Sequence, residues 1–218
     1  MKKEYQENFS KMNKSVLNKK IRIIKAQKIF YVIKDFLNKY GGEMKKGICL
    51  DIGGSAGFLA KEICKYVKKV YVLDIDKNAL DFGKKNNYAK NIKYIIGDAM
   101  NLSFSDNSID ILVCNQVYEH VPDHNKLINE IYRVLKPKGI CYFGAGNKFI
   151  FMEQHYHLPF LSCFPKKIAN IYLKIFRGKN YYEDHLSYFA LMSLFKSFNV
   201  KNYTMEVIKN PTKYNLTD

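Results

Sequence analysis

The segment LDIGGSAGFLAKEI runs an apolar stretch into a glycine-rich turn and then straight into an amphipathic pattern. Gly53, Gly54 and Gly57 can take positive φ and let a ligand come close to the backbone, and the helix start beyond them presents free N–H groups. That geometry suits a nucleotide or a nucleoside-like ligand. Asp51 stands just before the turn, and Asp74 ends the next apolar run, VYVLDID, about 20 residues on, where a carboxylate can accept both hydroxyls of an adenosine ribose. The competing reading of Asp74 is a solvated strand-end charge or a helix cap. A dinucleotide fingerprint fails, because G-x-G-x-x-G counted from Gly53 would need glycine at Ser55 and Phe58. NAD is therefore the second choice.

Histidines supply the other candidate chemistry, since a hydroxyl acceptor would need a general base. His120 stands in NQVYEHVP, where it either flanks a substrate together with Glu119 or caps and packs a helix start. His155 and His157 alternate around Tyr156 in EQHYHLPF, which places both on one side of an extended segment, lining a pocket or lying in a surface loop.

The elements that must position these residues follow from the patterning. Residues 15–40 carry apolar positions at three- and four-residue steps and stop at Gly41-Gly42, an amphipathic helix. From 46 to 146 short apolar runs alternate with helical patterns, the arrangement of strands buried on both faces with crossover helices between them. The expected fold class is α/β, a doubly wound Rossmann-like, mostly parallel sheet with helices on both faces. Residues 148–186 break the rhythm as an insertion after the fifth strand, and 187–218 resume with a helix over SYFALMSLFKSF and a last strand from Val200 to Ile208. One domain of 218 residues is expected, with the insertion placed over the carboxyl ends of the strands as an acceptor lid.

Composition narrows the partners. With 47% hydrophobic and 15% aromatic residues the chain is globular, and its opening MKKEYQENFS has no apolar leader, so a cytoplasmic protein is expected. Cys49, Cys64, Cys114, Cys141 and Cys163 are scattered without a Cys-x-x-Cys pair and read as free thiols. A net charge of +16 favours an acidic partner such as an anionic membrane surface or nucleic acid, or reflects only a Lys-rich composition. No feature of the sequence sets an oligomeric state.

Through DIGGSAG, VLDID, IIGDAMNLSFSDNSIDILVCNQVYEHV and LINEIYRVLKPKGICYF, residues 46–146 resemble the class I S-adenosylmethionine-dependent methyltransferases, in the broad group with the ubiquinone- and menaquinone-pathway enzymes. The resemblance implies S-adenosylmethionine as cofactor and S-adenosylhomocysteine as product. It assigns Asp51 and the turn Gly53, Gly54, Ser55 and Gly57 to the methionine part, and Asp74 with Ile75 to the ribose. Asp98, Ala99 and Met100 fall to the adenine, and Asn115 and Gln116 to the region near the sulfonium. Ser55 departs from the family's usual glycine. The segment around His120 resembles a metal-binding Glu-x-x-Glu-His pattern of ubiquinone-pathway O-methyltransferases, but Gln116 replaces the first glutamate, so no metal is expected. The acceptor is read as a small molecule, and the insertion resembles those of methyltransferases encoded among polysaccharide and lipid genes, a lean toward a glycan- or lipid-linked acceptor. The alternatives are an RNA methyltransferase, against which NQVY stands in place of N-P-P-[YF], and an inactive Rossmann-like binding module, against which Asp51, Asp74 and Asp98 are all present.

Overall fold

The computed structural model of the chain describes residues 9–12, 17–42, 44 and 47–216. Five strands, β1 (Ile48–Ile52), β2 (Lys69–Asp74), β3 (Ile92–Ile96), β4 (Ile109–Asn115) and β5 (Leu135–Gly144), form one sheet in the order β3-β2-β1-β4-β5. Every pairing is parallel. Leu50, Val70, Val72, Leu112 and Val113 are fully buried, as strands covered on both faces require. Strand order reverses between β1 and β4, and such a switch point opens a crevice at the carboxyl ends of the strands.

The pleat sends alternate side chains to opposite faces, and each face has its own core. On one, Cys49, Val70, Val72, Ile111 and Val113 pack under α2 (Lys19–Tyr40), α3 (Phe58–Ile63) and α4 (Lys77–Asn86). On the other, Leu50, Ile52, Leu73, Leu112 and Cys114 pack under α5 (His124–Val134), with α7 (Tyr188–Leu194) and Phe195 beside it. Helix α2 starts where the Asn18 side chain accepts from the Ile21 N–H and stops at Gly41, φ +86°. The first residues of the helix expected over 15–40 lie outside the described residues. A short α1 (Phe9–Met12) precedes it. Among the described residues no helix is long and apolar enough to cross a membrane. Of the five free thiols, Cys49 and Cys114 are buried and the other three half-buried.

Beyond β5, residues 148–186 form a separate small cluster in which Leu158, Leu161 and Tyr181 pack on Ala169 and Leu173 of α6 (Lys166–Arg177). Two hydrogen bonds fasten this segment to the carboxyl end of the sheet, Asp184 N–H to Glu119 O (2.9 Å) and Leu186 N–H to Tyr118 Oη (3.2 Å), while Lys148 N–H to Leu186 O (3.0 Å) ties its two ends together.

The strand expected from Val200 to Ile208 is not formed; α8 (Thr204–Lys209) occupies that stretch, with Asn202 Oδ1 accepting from the Thr204 N–H. Met205 and Ile208 stay exposed, so no alternating apolar face was there to join a sheet. Polar anchoring replaces it: Asp35 on α2 receives Tyr203 Oη and Tyr214 Oη, each at 3.1 Å, and pairs with Lys213 Nζ at 2.7 Å. Among the described residues the sheet ends at five strands.

Candidate cofactor and acceptor site

The carboxyl edge of the sheet carries Asp98 beyond β3, Asp74 at the end of β2, Asp51 near the end of β1 and Asn115 at the end of β4. Between β1 and α3 the turn needs its glycines. Gly53 has φ +65° and a Cβ there would run into the Val117 side chain, while a Cβ on Gly54 would stand 2.7 Å from Asp51 Oδ2. Ser55, where the family pattern has glycine, still takes the left-handed region at φ +49°, and Gln116 does so at φ +56°. Strained residues at two neighbouring strand ends mark this edge as shaped for more than stability.

Asp74 holds the turn together. Its Oδ2 accepts from the Ser55 N–H and its Oδ1 from the Asp76 N–H, both at 2.8 Å. Burial raises its pKa against the pull of those two bonds. Asp51 has no such compensation: burial, then the nearby Asp74, push its carboxyl up to about 8. Asp51, Gly53, Gly54, Ser55 and Asn115 line one cleft, whose far wall is α2 with Arg22 and Lys25. The sequence pattern shows α2 only as a lysine-rich amphipathic helix, so these two cations were not legible as site residues. Their spacing, one turn apart on the side facing β1, is the only trace. A buried carboxyl opposite a guanidinium and an ammonium is a fit for an amino-acid zwitterion.

Asp98 and Met100 line a second cleft with Asn101, Lys126, Asn129 and Glu130. Asp98 Oδ1 accepts from the Met100 N–H at 2.7 Å, which fixes the loop, and Ala99 is buried beneath it. Ile75 is half-buried beside Asp74.

The histidines separate. His120, in a 3-10 turn (Tyr118–His120) just past β4, stands with its ring centroid 5.1 Å from that of His155, and Phe9 of α1 lies against both at 5.3 and 6.3 Å. His157 does not join them. Residues 153–157 form a turn closed by the His157 N–H to Glu153 O (3.0 Å), so the extended geometry that would put both histidines on one side is absent and His157 is exposed. What the sequence did not disclose is the company His155 keeps: the buried Glu119, Glu153, Glu183 and His185. Burial disfavours an ionised Glu153, but His155 and His185 outweigh it and hold the carboxyl at about 2. These partners come from stretches about 30 residues apart, a separation no local pattern reports.

Residues 50–143 match the methyltransferase domain family. The demethylmenaquinone methyltransferase of Geobacillus sp. (strain WCH70) is 31% identical over 156 residues, which cover 64% of this chain and 65% of that protein. Phosphoethanolamine N-methyltransferase 2 of Caenorhabditis elegans is 32% identical over 121 residues, 53% of this chain and 27% of that protein. The chain thus spans less than two thirds of the length of these curated relatives. Among solved structures the YcgJ protein from Bacillus subtilis superposes with a TM-score of 0.56 at 21% identity, over 75% of this chain and 65% of that one, and shares the fold.

Proposed function

Because the chain belongs to the class I S-adenosylmethionine-dependent methyltransferases, we propose that it binds S-adenosylmethionine along the carboxyl edge of its sheet and methylates a small-molecule acceptor held under residues 148–186, releasing S-adenosylhomocysteine. The observation that carries this reading is the glycine turn with the buried Asp51 on one side and Arg22 and Lys25 on the other. When bound, the cofactor supplies an electrophilic methyl on a sulfonium.

Asp51 takes the ammonium of the methionine part, and Arg22 with Lys25 its carboxylate. Asp74 accepts from the ribose hydroxyls with the lone pairs its two backbone bonds leave over. Asp98, with Ala99 and Met100, borders the adenine. Asn115 and Gln116 line the passage between donor and acceptor. An in-line displacement at carbon gains most from alignment and from the exclusion of water. Residues 148–186 shut the acceptor side, and His120 stands where it can take a proton from an acceptor hydroxyl, with His155 beside it.

The same segment favours an acceptor at an anionic bilayer. Ile168, Ile171, Ile175 and Phe176 of α6 are 50%, 61%, 72% and 58% exposed, and Lys167, Lys174, Arg177 and Lys179 flank them. An apolar stripe edged with cations is the pattern of a helix lying in a membrane interface. Flotation with phosphatidylglycerol vesicles tests it: binding that falls with salt supports a lipid-linked acceptor, and none at low salt removes that choice.

A further inference from the structure

Three carboxyl groups and three imidazoles meet where the segment 148–186 joins the end of β4. Glu119, Glu153 and Glu183 are 0%, 0% and 1% exposed. Buried carboxylates persist when paired, protonated or bound to a cation. Lys166, which reaches this segment, spends its ammonium on the backbone carbonyls of Tyr182 and Glu183, both at 2.6 Å.

Glu153 is held in a fixed pose. Its Oε2 accepts the N–H groups of His155 (2.8 Å) and Tyr156 (2.7 Å), which turns Oε1 toward His155 Nδ1 at 2.7 Å and His185 Nε2 at 3.7 Å. One donor atom from each of the three lies within 4.8 Å of the others, and His155 is shared with a second such group made with Glu119 and His120. Donors around one ion with bonds near 2.1 Å sit about 3–3.5 Å apart, so the two separations straddle what an ion needs and small side-chain rotations reach it. Beside them Glu183 Oε2 and His185 Nδ1 are buried without a hydrogen-bond partner among the described residues. His120 Nδ1 lies 3.9 Å from Glu183 Oε1.

We propose that Glu153, His155 and His185 bind a first-row divalent transition-metal ion, with Glu183 beside them to balance its charge. Two imidazoles and one carboxylate suit Zn²⁺, Fe²⁺ or Mn²⁺ rather than Ca²⁺ or Mg²⁺, and three ligands leave coordination positions open. The cluster abuts the proposed acceptor space, so an oxygen-bearing acceptor is the natural occupant of an open position. Metal binding itself does not depend on the methyltransferase reading; only that placement does.

The test uses the full chain, stripped with chelator and titrated calorimetrically with ZnCl₂ and with MnCl₂ in the absence of cofactor, with metal content read by mass spectrometry. One ion per chain is expected for at least one of the two. Affinity should fall at least tenfold in Glu153→Gln and His185→Ala, and stay unchanged in His157→Ala, whose ring is exposed. Thermal melts confirm that each variant is folded, and His155→Asn replaces any that is not. A wild-type chain that takes up neither ion in stoichiometric amount overturns the proposal, as does equal affinity in the Glu153 and His185 variants. Cofactor binding, measured separately, distinguishes the two readings: a chain that binds S-adenosylmethionine but no metal refutes only the metal site, and the converse refutes only the cofactor reading.

Discussion

Asp51→Asn isolates the most costly group in the cofactor cleft. The carboxyl titrates at about 8 in the fold and at 3.8 unperturbed, raised first by burial and then by Asp74. A raised pKa means that the folded chain holds a proton the unfolded chain releases. The resulting stability is present below pH 3.8 and is lost as pH climbs through 8. Each pH unit inside that window is worth ~1.4 kcal/mol for one proton. Between pH 6 and pH 8 the apo wild type should therefore lose about 1–3 kcal/mol relative to Asp51→Asn, which has nothing to ionise. Urea melts of both proteins at each pH measure it. An ammonium placed beside Asp51 reverses the preference and drives the proton off, so binding S-adenosylmethionine at pH 7 should release up to one proton. Calorimetry in two buffers of different ionisation enthalpy counts it. The asparagine variant should bind ~10–100-fold more weakly, having lost a charge-assisted bond, and should release none. Parallel stability profiles for the two proteins, or proton release unchanged by the substitution, would refute both the buried titration and the ammonium assignment.

Gly53→Val should lower Tm and abolish the cofactor-dependent rise in Tm, because φ +65° and the contact with Val117 together oppose a β-branched side chain by ~1–3 kcal/mol; a full ligand shift in the variant argues against the turn's role. Asp35→Asn should destabilise by about 1–2 kcal/mol at pH 7, since burial, the largest single effect, raises that carboxyl's pKa but Lys213, Lys39 and two tyrosines together outweigh it and hold it at about 2. A depressed pKa gives stability above pH 3.8 that fades as pH falls through 2, so the gap between the two proteins should narrow below pH 4; a gap independent of pH would contradict the ion pairing. His155→Ala should cut kcat with cofactor affinity intact, while His157→Ala should leave kcat unchanged, and the reverse order of effects would undo the placement of the two histidines.

The cofactor half of the fold was legible because its signals are local. A strand buried on both faces and a glycine turn are each written within about ten consecutive residues, and β1, β2 and β4 with Asp51, Asp74 and Asn115 at their ends follow from such runs. Where sequence reasoning failed, the deciding contacts are distant. Val200 to Ile208 has β-forming residues, yet no partner edge received them, and the anchor that fixes that stretch is Asp35 on α2. The alternation His155-Tyr156-His157 has strand periodicity, but the Glu153 side chain and carbonyl bend it into a turn. Arg22 reads as one more solvated charge until α2 packs on α3 and brings it to the cleft of Asp51, and the Glu and His cluster exists only once the segment after β5 is folded back.

The central claim stands on the cofactor cleft, and isothermal titration of S-adenosylmethionine and S-adenosylhomocysteine into the wild type and Asp74→Ala tests it most directly. One site per chain is predicted for the wild type, with a loss of ~1.5–3 kcal/mol in the variant for the bonds to two ribose hydroxyls. No binding by a folded wild-type chain, or equal affinity in Asp74→Ala, would contradict it.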